Sequence, residues 1–316
     1  MTVAELLVAD IGGTGSRLAL MRDRRLISTP VNYSNRDYES VEAILDDFLA
    51  DTDHLPERAA LAIAGPVQNN RVQMTNLGWE LSGEKLAERL GFKQVELVND
   101  FEALAWSTIT LEETDLFQLG GGVALTLATR AILGPGTGLG VSGLVHNAGI
   151  WTAIAGEGGH VTLAAGSKQE AALIEQVSRE FGHCSAERLL SGSGLALIYK
   201  YLAGSHDTPE AITQRALAGE MAALETVEIF SLMLGTVASN LALTFGAKGG
   251  IYLAGGILPA ISELFANSGF RDRFETKGRF SEYLAAIPTF LITSAYPGFK
   301  GLDLYMRRLA AGKQPY

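Results

Sequence analysis

The sequence contains a single cysteine, Cys184, in 316 residues. One thiol can form neither an internal disulfide nor a thiolate metal cluster, so a disulfide framework and a structural zinc site of that kind are both excluded. We expect Cys184 to be a small buried apolar residue.

Basic residues are also scarce, because 25 Lys and Arg stand against 35 Asp and Glu, and the formal net charge is -10. A negative chain without a basic stripe between aromatic residues does not favour nucleic acid or an anionic membrane surface. We therefore expect neither a nucleic-acid partner nor a membrane partner. An anionic ligand would need a local trap of backbone N–H groups together with a cation.

The sequence shows no apolar run of about 18 residues or more and no basic segment followed by an apolar one. We therefore expect no membrane span and no secretion signal, and a cytoplasmic location. With 47% hydrophobic residues, the chain is long enough for two domains with a large core.

Glycine is abundant, with 36 residues that cluster where apolar segments end. In the first such segment, an apolar strand carries Asp10 to its end, and the chain turns through Gly12, Gly13, Thr14 and Gly15 into a second strand. Backbone N–H groups in a glycine turn can bind an anion, and a cation such as Mg²⁺ reconciles a phosphate with the Asp10 carboxylate. The same residues are also common in hairpins for turn geometry alone.

A second unit of this kind begins near Ala124, where an apolar strand over 125–133 leads into Gly136, Thr137 and Gly138 and then another strand. Two strand-turn-strand units about 120 residues apart indicate two similar domains that hold one polyphosphate. A third glycine turn, Gly255-Gly256, follows an apolar strand and suits contact with a flat nucleoside.

Polar side chains follow other strands. Asn99 and Asp100 come directly after the apolar segment 95–98, and open α/β sheets bind ligands at the carboxyl ends of their strands. An alternative is that one of them caps the next helix. Glu157 and His160 lie among glycines, which favours ligand hydrogen bonding over metal ligation. Glu187 follows Ser185, and there a helix start is an equal alternative.

The order of apolar periodicities predicts an α/β protein. Strands are predicted at 59–64, 72–76, 95–98 and 288–294. Helices are predicted at 38–49, 82–90, 101–106, 167–181, almost continuously over 209–247 with an interruption at Gly219, and at 302–311.

Taken together, the motifs resemble those of the bacterial glucokinase family from Leu7 to about Lys300. The stretches that carry the resemblance are Asp10-Ile-Gly-Gly-Thr with Arg17-Leu-Ala-Leu, Ala64-Gly-Pro, Met74-Thr-Asn before Trp79, Asn99-Asp-Phe, Gly136-Thr-Gly-Leu-Gly-Val, Gly156-Glu-Gly-Gly-His-Val, Ser185-Ala-Glu-Arg, Leu190-Ser-Gly, Ala254-Gly-Gly-Ile, and Ser268-Gly-Phe-Arg with Lys277-Gly-Arg-Phe. The chain departs from the usual pattern at Gly15, at Pro135 and over 298–303, which bear on nucleotide affinity and on packing of the last helix.

The resemblance implies an actin-like (ribonuclease H-like) ATPase fold, with two α/β domains around a central cleft. The small domain would be 1–110 completed by a C-terminal helix at 301–316, and the large domain 111–300. It further implies that Asp100 is the catalytic base on the sugar 6-hydroxyl. Asp10 would hold Mg²⁺ through water. The other sugar-binding residues would be Asn99, Glu157, His160 and Glu187, and the ATP-binding residues Gly12, Gly13, Thr14, Gly136, Thr137, Gly138, Gly255 and Gly256.

The implied activity is Mg-ATP-dependent phosphorylation of D-glucose to glucose 6-phosphate, by a homodimer. Two alternatives remain open. One is a kinase of this fold acting on mannose or an amino sugar, and the other is a non-catalytic sugar sensor. The absence of the zinc-binding cysteine cluster separates the chain from the repressor-like sugar kinases.

Overall fold

The computed structural model describes residues 5–52, 55–74 and 76–312. The predicted motif residue Thr75 and the last four residues of the predicted C-terminal helix, 313–316, lie outside the described residues. The chain groups into two compact units, one of 1–112, 147–155 and 294–316, and the other of 113–146 and 156–293. The predicted domain limits, 1–110 with 301–316 and 111–300, stay a prediction.

Strands and helices alternate along much of the chain. The strands are β1 Leu6–Ile11, β2 Gly15–Arg22, β3 Arg25–Leu26, β4 Val31–Ser34, β5 Arg58–Ile63, β6 Arg71–Met74, β7 Trp79–Ser82, β8 Gln94–Asn99, β9 Leu116–Gly120, β10 Arg130–Pro135, β11 Leu139–Asn147, β12 Ile150–Gly156, β13 Ile251–Leu253 and β14 Thr289–Ile292. The helices are α1 Val41–Ala50, α2 Gly83–Leu90, α3 Asp100–Ser107, α4 Lys168–Phe181, α5 Ala186–Leu189, α6 Gly192–Ala203, α7 Pro209–Leu217, α8 Met221–Phe245, α9 Ile257–Ala260, α10 Ser262–Ala266, α11 Phe270–Glu275, α12 Ser281–Ala285 and α13 Pro297–Ala310.

The first large sheet has the order β3-β2-β1-β5-β8, with β4 also paired to β2. β1 runs antiparallel to β2 and parallel to β5, which runs parallel to β8. Ile63 is in register with both Ile11 and Asn99. The carboxyl ends of β1 and β8, with Asp10 and Asn99, therefore reach the same edge of this sheet.

The second large sheet has the order β12-β11-β10-β13-β14-β9. β10 runs antiparallel to β11 and parallel to β13, which is parallel to β14. Leu133 is in register with Leu253, so the second glycine turn and Gly255-Gly256 follow neighbouring strands at one edge. The predicted α/β class, with two α/β units, is confirmed.

Helix α13 packs closely on α3. A Cβ atom on Gly301 would overlap the carbonyl oxygen of Ala103, and Trp106 meets Tyr305 edge to face with ring centroids 6.3 Å apart. Phe299 and Leu302 are buried. The departure from the family pattern over 298–303 is thus compatible with a packed terminal helix, which begins five residues earlier than predicted.

Helix α8 bears on the expectation that the chain has no membrane span. Among the described residues it is the one helix long and apolar enough to cross a membrane by length and composition, with a mean hydropathy of 1.5. Of its apolar 18-residue window, 67% is buried inside the structure, as in the core helix of a globular protein. Gly235 allows the close approach of α11, because a Cβ there would lie 2.5 Å from the carbonyl oxygen of Phe270.

The strand predicted over 125–133 is wrong in its first half. Leu127 has a φ of 62°, and the Ala128 N–H donates to the Leu125 carbonyl oxygen, so a turn precedes β10. The interruption predicted at Gly219 within 209–247 is confirmed, because this residue has a φ of 86° and separates α7 from α8. Strand β9 is absent from the sequence prediction.

Candidate active site

The first glycine turn joins β1 to β2 and is held by Asn35. The Gly12 N–H donates to the Gly15 carbonyl oxygen at 3.0 Å. The Asn35 side-chain amide donates to the Gly12 carbonyl at 2.8 Å and accepts from the Ser16 hydroxyl at 2.6 Å, while the Asn35 N–H donates to the Thr14 carbonyl at 3.0 Å. The turn is thereby fixed, and Thr14 at its tip is exposed.

Asp10 lies beside this turn, opposite Arg17 in the neighbouring strand. An Arg17 nitrogen is 3.3 Å from Asp10 Oδ2. Burial raises the pKa of Asp10 above its ordinary value, and the Arg17 guanidinium opposes that rise. Among the described residues no three His, Cys, Asp or Glu side chains group as metal ligands. A lone carboxylate still fits Mg²⁺, which keeps several water ligands and takes others from phosphate.

Asn99 and Asp100 start helix α3 at the end of β8. The Asn99 side-chain oxygen accepts from the N–H groups of Phe101 and Glu102 at 3.0 and 3.1 Å, so Asn99 is the N-cap. Its amide nitrogen donates to the Gly65 carbonyl and to Asp100 Oδ1, both at 3.0 Å. Asn99 therefore caps α3, as the alternative interpretation predicts, and the same side chain orients the Asp100 carboxylate.

The second glycine turn joins β10 to β11. The Gly136 N–H donates to the Gly138 carbonyl at 2.8 Å, and the Gly192 N–H donates to the Gly136 carbonyl at 2.9 Å. The Leu139 N–H donates to Glu187 Oε2 at 2.9 Å. Thr137 at the tip is exposed. The turn is tied to the start of α6 and to the carboxylate of Glu187.

Three predicted sugar-binding residues lie together beside this turn. His160 Nε2 is 4.0 Å from Glu157 Oε2, and His160 Nδ1 is 3.9 Å from Glu187 Oε1. Both separations exceed hydrogen-bond length. The side chains of Glu157 and His160 are 61% and 59% exposed, and that of Glu187 is 33% exposed, so polar atoms of all three remain accessible to a ligand.

The glycines between Glu157 and His160 serve packing against β11. A Cβ atom on Gly159 would overlap the Leu139 carbonyl oxygen, and one on Gly158 would lie 2.8 Å from a Val141 methyl group. Ser185 caps α5 by accepting from the Arg188 N–H at 3.2 Å, which places Glu187 in the first turn of that helix. Glu187 therefore lies in the first turn of α5, as the helix-start interpretation predicts, and also lies beside His160.

The two glycines of the third turn differ in why glycine is present. Gly255 has a φ of 91°, and a Cβ there would overlap the Pro135 carbonyl oxygen, so backbone packing requires this glycine. A Cβ on Gly256 would meet nothing within 4 Å. Gly256 is thus the member of the pair that is open to a ligand.

Asn35 is missing from the predicted site, although it holds the first turn. Its bonds to Ser16 and Gly12 span 19 and 23 residues, and no local pattern marks them. The predicted residues group within each unit. Asp10, the first turn, Asn99 and Asp100 share one sheet edge, and Glu157, His160, Glu187, the second turn and Gly255 lie together in the other unit.

The chain is similar to known proteins over nearly its whole length. The family model described as Glucokinase matches residues 7–309. A glucokinase of Neisseria meningitidis serogroup C / serotype 2a (strain FAM18) is 44% identical over 315 residues, which cover 96% of each chain. A crystal structure of glucokinase from an Antarctic psychrotroph is 33% identical, with a TM-score of 0.86, over 96% of this chain and 99% of that one.

A more distant structure shows the fold alone. It is a ROK family glucokinase from Streptomyces griseus in complex with glucose and AMPPNP, 19% identical, with a TM-score of 0.66 over 95% of this chain and 99% of that one.

Proposed function

Since the chain belongs to the glucokinase family, we propose that it transfers the γ-phosphoryl group of ATP to the 6-hydroxyl of D-glucose. One observation carries the proposal. Glu187 binds the N–H that ends the second glycine turn and also lies beside His160. The Glu187 carboxylate therefore connects the polar side chains suited to a polyol with the glycine turn suited to phosphate.

Asp100 is the proposed general base. Phosphoryl transfer has a loose transition state, so positioning and charge neutralisation dominate, and a base that accepts the hydroxyl proton adds roughly 10²–10⁴-fold. Asn99 supports this role, because its amide donates to Asp100 Oδ1 while its oxygen caps α3. The position of the carboxylate at the first residue of the helix is thereby fixed.

Asn99, Glu157, His160 and Glu187 are proposed to hold the remaining sugar hydroxyls. A site that pairs its polar groups with hydroxyls rejects an analogue that lacks one by up to ~10⁴–10⁵-fold, because a protein group then stays unpaired. The exposed carboxylate of Glu157, the half-buried carboxylate of Glu187 and the imidazole between them provide such groups. These groups favour glucose over deoxy sugars.

The two glycine turns, together with Gly255 and Gly256, are proposed to bind ATP. The exposed Thr14 and Thr137 each add a hydroxyl donor to the N–H groups of their turn. A bound Mg²⁺ neutralises phosphate oxygens, and Asp10 would hold it through water. We also propose a cytoplasmic homodimer without a nucleic-acid or membrane partner.

The substrate is tested by initial rates of ADP formation with Mg-ATP against glucose, mannose, glucosamine, N-acetylmannosamine and 2-deoxyglucose. We expect glucose to give the highest kcat/KM. A higher value for mannose or an amino sugar would assign the related kinase activity instead. Glucose binding without ADP formation would assign the sugar sensor.

The role of Asp100 is tested by Asp100→Asn and Asp100→Ala. Both should lower kcat by roughly 10²–10⁴-fold. Glucose affinity, measured by calorimetry without nucleotide, should stay near that of the wild type for Asp100→Asn, because the amide retains the size and the hydrogen-bonding oxygen of the original side chain. Wild-type turnover in either variant would contradict the assignment of the base.

A further inference from the structure

Glu187 is oriented by the second glycine turn. Its backbone is fixed in α5, where the Ala186 N–H donates to the Val161 carbonyl at 2.8 Å and Ala186 is fully buried. Its Oε2 accepts the Leu139 N–H at 2.9 Å, which leaves Oε1 on the side of His160 Nδ1, 3.9 Å away. The direction of the carboxylate therefore depends on a backbone N–H of the turn.

Gly138, which directly precedes Leu139, leaves room for this carboxylate. A Cβ atom on Gly138 would overlap Glu187 Oε2 and lie 3.1 Å from its Cδ. The backbone of Gly138 is outside the positive-φ region, so its own conformation does not require glycine. The need for glycine at this position comes from the neighbouring carboxylate.

Gly136 provides a matched comparison within the same turn. It too lies outside the positive-φ region, yet a Cβ atom there would meet nothing within 4 Å. The same substitution, glycine to alanine, thus displaces the Glu187 carboxylate at one position and leaves it in place two residues earlier.

We propose that Gly138, a residue of the phosphate-binding turn, is a positioning residue for the sugar, because its missing side chain lets the Leu139 N–H hold the Glu187 carboxylate in the sugar site. This inference rests on the proposed function. It assigns to the turn a second task besides phosphate binding. Since binding free energies are reciprocal, phosphate on the turn and sugar on Glu187 change each other's affinity by the same factor.

The test is calorimetric titration of the full-length protein with glucose in the absence of nucleotide, for the wild type, Gly138→Ala and Gly136→Ala. Displacing a carboxylate that accepts hydrogen bonds should weaken glucose binding by about tenfold or more in Gly138→Ala. In Gly136→Ala the dissociation constant for glucose should stay within about twofold of the wild type. Equal glucose affinities of the two variants would overturn the inference.

A double-mutant cycle with Glu187→Ala separates positioning from a general disturbance of the fold. If Gly138 acts through Glu187, adding Gly138→Ala to Glu187→Ala should change glucose affinity by less than about twofold. A full tenfold loss in that background would overturn the inference. A wild-type protein that binds no sugar would overturn the proposed function itself, whereas a wild type that binds glucose beside two indistinguishable alanine variants would overturn the inference alone.

Discussion

The two glycine turns differ in what holds them. The first turn is held by Asn35, a neutral side chain that is 1% exposed. Its amide group forms hydrogen bonds with the turn backbone and with Ser16. The second turn is held by a hydrogen bond to the carboxylate of Glu187, which is 33% exposed and lies beside His160. The first turn is fixed by a group that has no access to a ligand, and the second by a group that we expect to bind one.

Buried acids show a related contrast. Glu170 of the second unit is 1% exposed and forms a two-bond ion pair with Arg273, at 2.9 and 3.1 Å. Glu102 of the first unit is 3% exposed, and among the described residues its Oε1 has no hydrogen-bond partner. The Glu170 carboxylate is therefore paired with a cation, whereas Oε1 of Glu102 has no partner, and the substitutions below test how much each arrangement contributes to the free energy of unfolding.

The largest effect is expected for Glu170→Gln. Removing one member of a buried ion pair leaves the other charge uncompensated, which costs about 3–5 kcal/mol. The Gly166 N–H, which donates to Glu170 Oε2 at 2.6 Å, also loses a charged acceptor. The free energy of unfolding in urea measures the loss.

The control for Glu170→Gln is Glu175→Gln on the same helix. Glu175 pairs with Arg179, but the two side chains are 63% and 77% exposed, so the change should stay within about 0.5 kcal/mol. Equal effects of the two substitutions would show that the Glu170 pair is no more important than a surface pair.

The sequence predicts those parts of the site that depend on local order. An apolar run followed by glycine or by Asn99-Asp100 marks a strand end, and the structure has strand ends at these places. The hydrogen bonds that hold the turns join residues distant in sequence, since Leu139 and Glu187 are 48 residues apart. Which distant side chain reaches a turn depends on how loops cross, and apolar periodicity contains no information on that.

Local pattern also misleads where tertiary context decides. The alternating segment Leu125-Thr-Leu-Ala-Thr favours a strand, yet Leu127 adopts a positive φ in a turn, and its side chain is 54% exposed. In contrast, Phe117 belongs to β9, whose one partner strand is β14, and this pairing has no local signal. Strands of this kind are recognised only once the sheet is known.

The next largest loss of stability is expected when Asn35, which holds the first turn, is substituted. Asn35→Ala removes two side-chain hydrogen bonds and leaves the Ser16 hydroxyl and the Gly12 carbonyl without these partners, which costs roughly 2–4 kcal/mol of unfolding free energy. Because the hydrogen bonds of the Asn35 side chain go to Gly12 and Ser16 of the first turn, we also expect the KM for ATP to rise while nucleotide-free glucose affinity stays unchanged.

Asn32→Ala is the control, since Asn32 is exposed on the neighbouring strand β4. It should change the unfolding free energy by less than about 0.5 kcal/mol. If Asn35→Ala weakened glucose binding as strongly as Gly138→Ala, the proposed difference between the two turns would be wrong.

The smallest effect, and the one with a distinct pH dependence, is expected for Glu102→Gln. Burial raises the pKa of Glu102 from 4.5 to about 7, and the nearby Trp106 indole offsets part of that rise without forming a hydrogen bond of normal geometry. The folded protein therefore binds this proton more tightly than the unfolded chain does. Stability should fall as the pH increases from about 4.5 to about 7 and then remain level.

Glutamine resembles the protonated acid and removes this pH dependence. Glu102→Gln should match the wild type near pH 4.5 and exceed its unfolding free energy by about 3 kcal/mol at pH 8, since one pKa unit corresponds to about 1.4 kcal/mol. Urea unfolding at several pH values measures this, with the exposed Glu88→Gln on α2 as the control for net charge. A difference between variant and wild type that did not change with pH would mean that the pKa of Glu102 is the same in the folded and unfolded protein, and the contrast with the paired Glu170 would disappear.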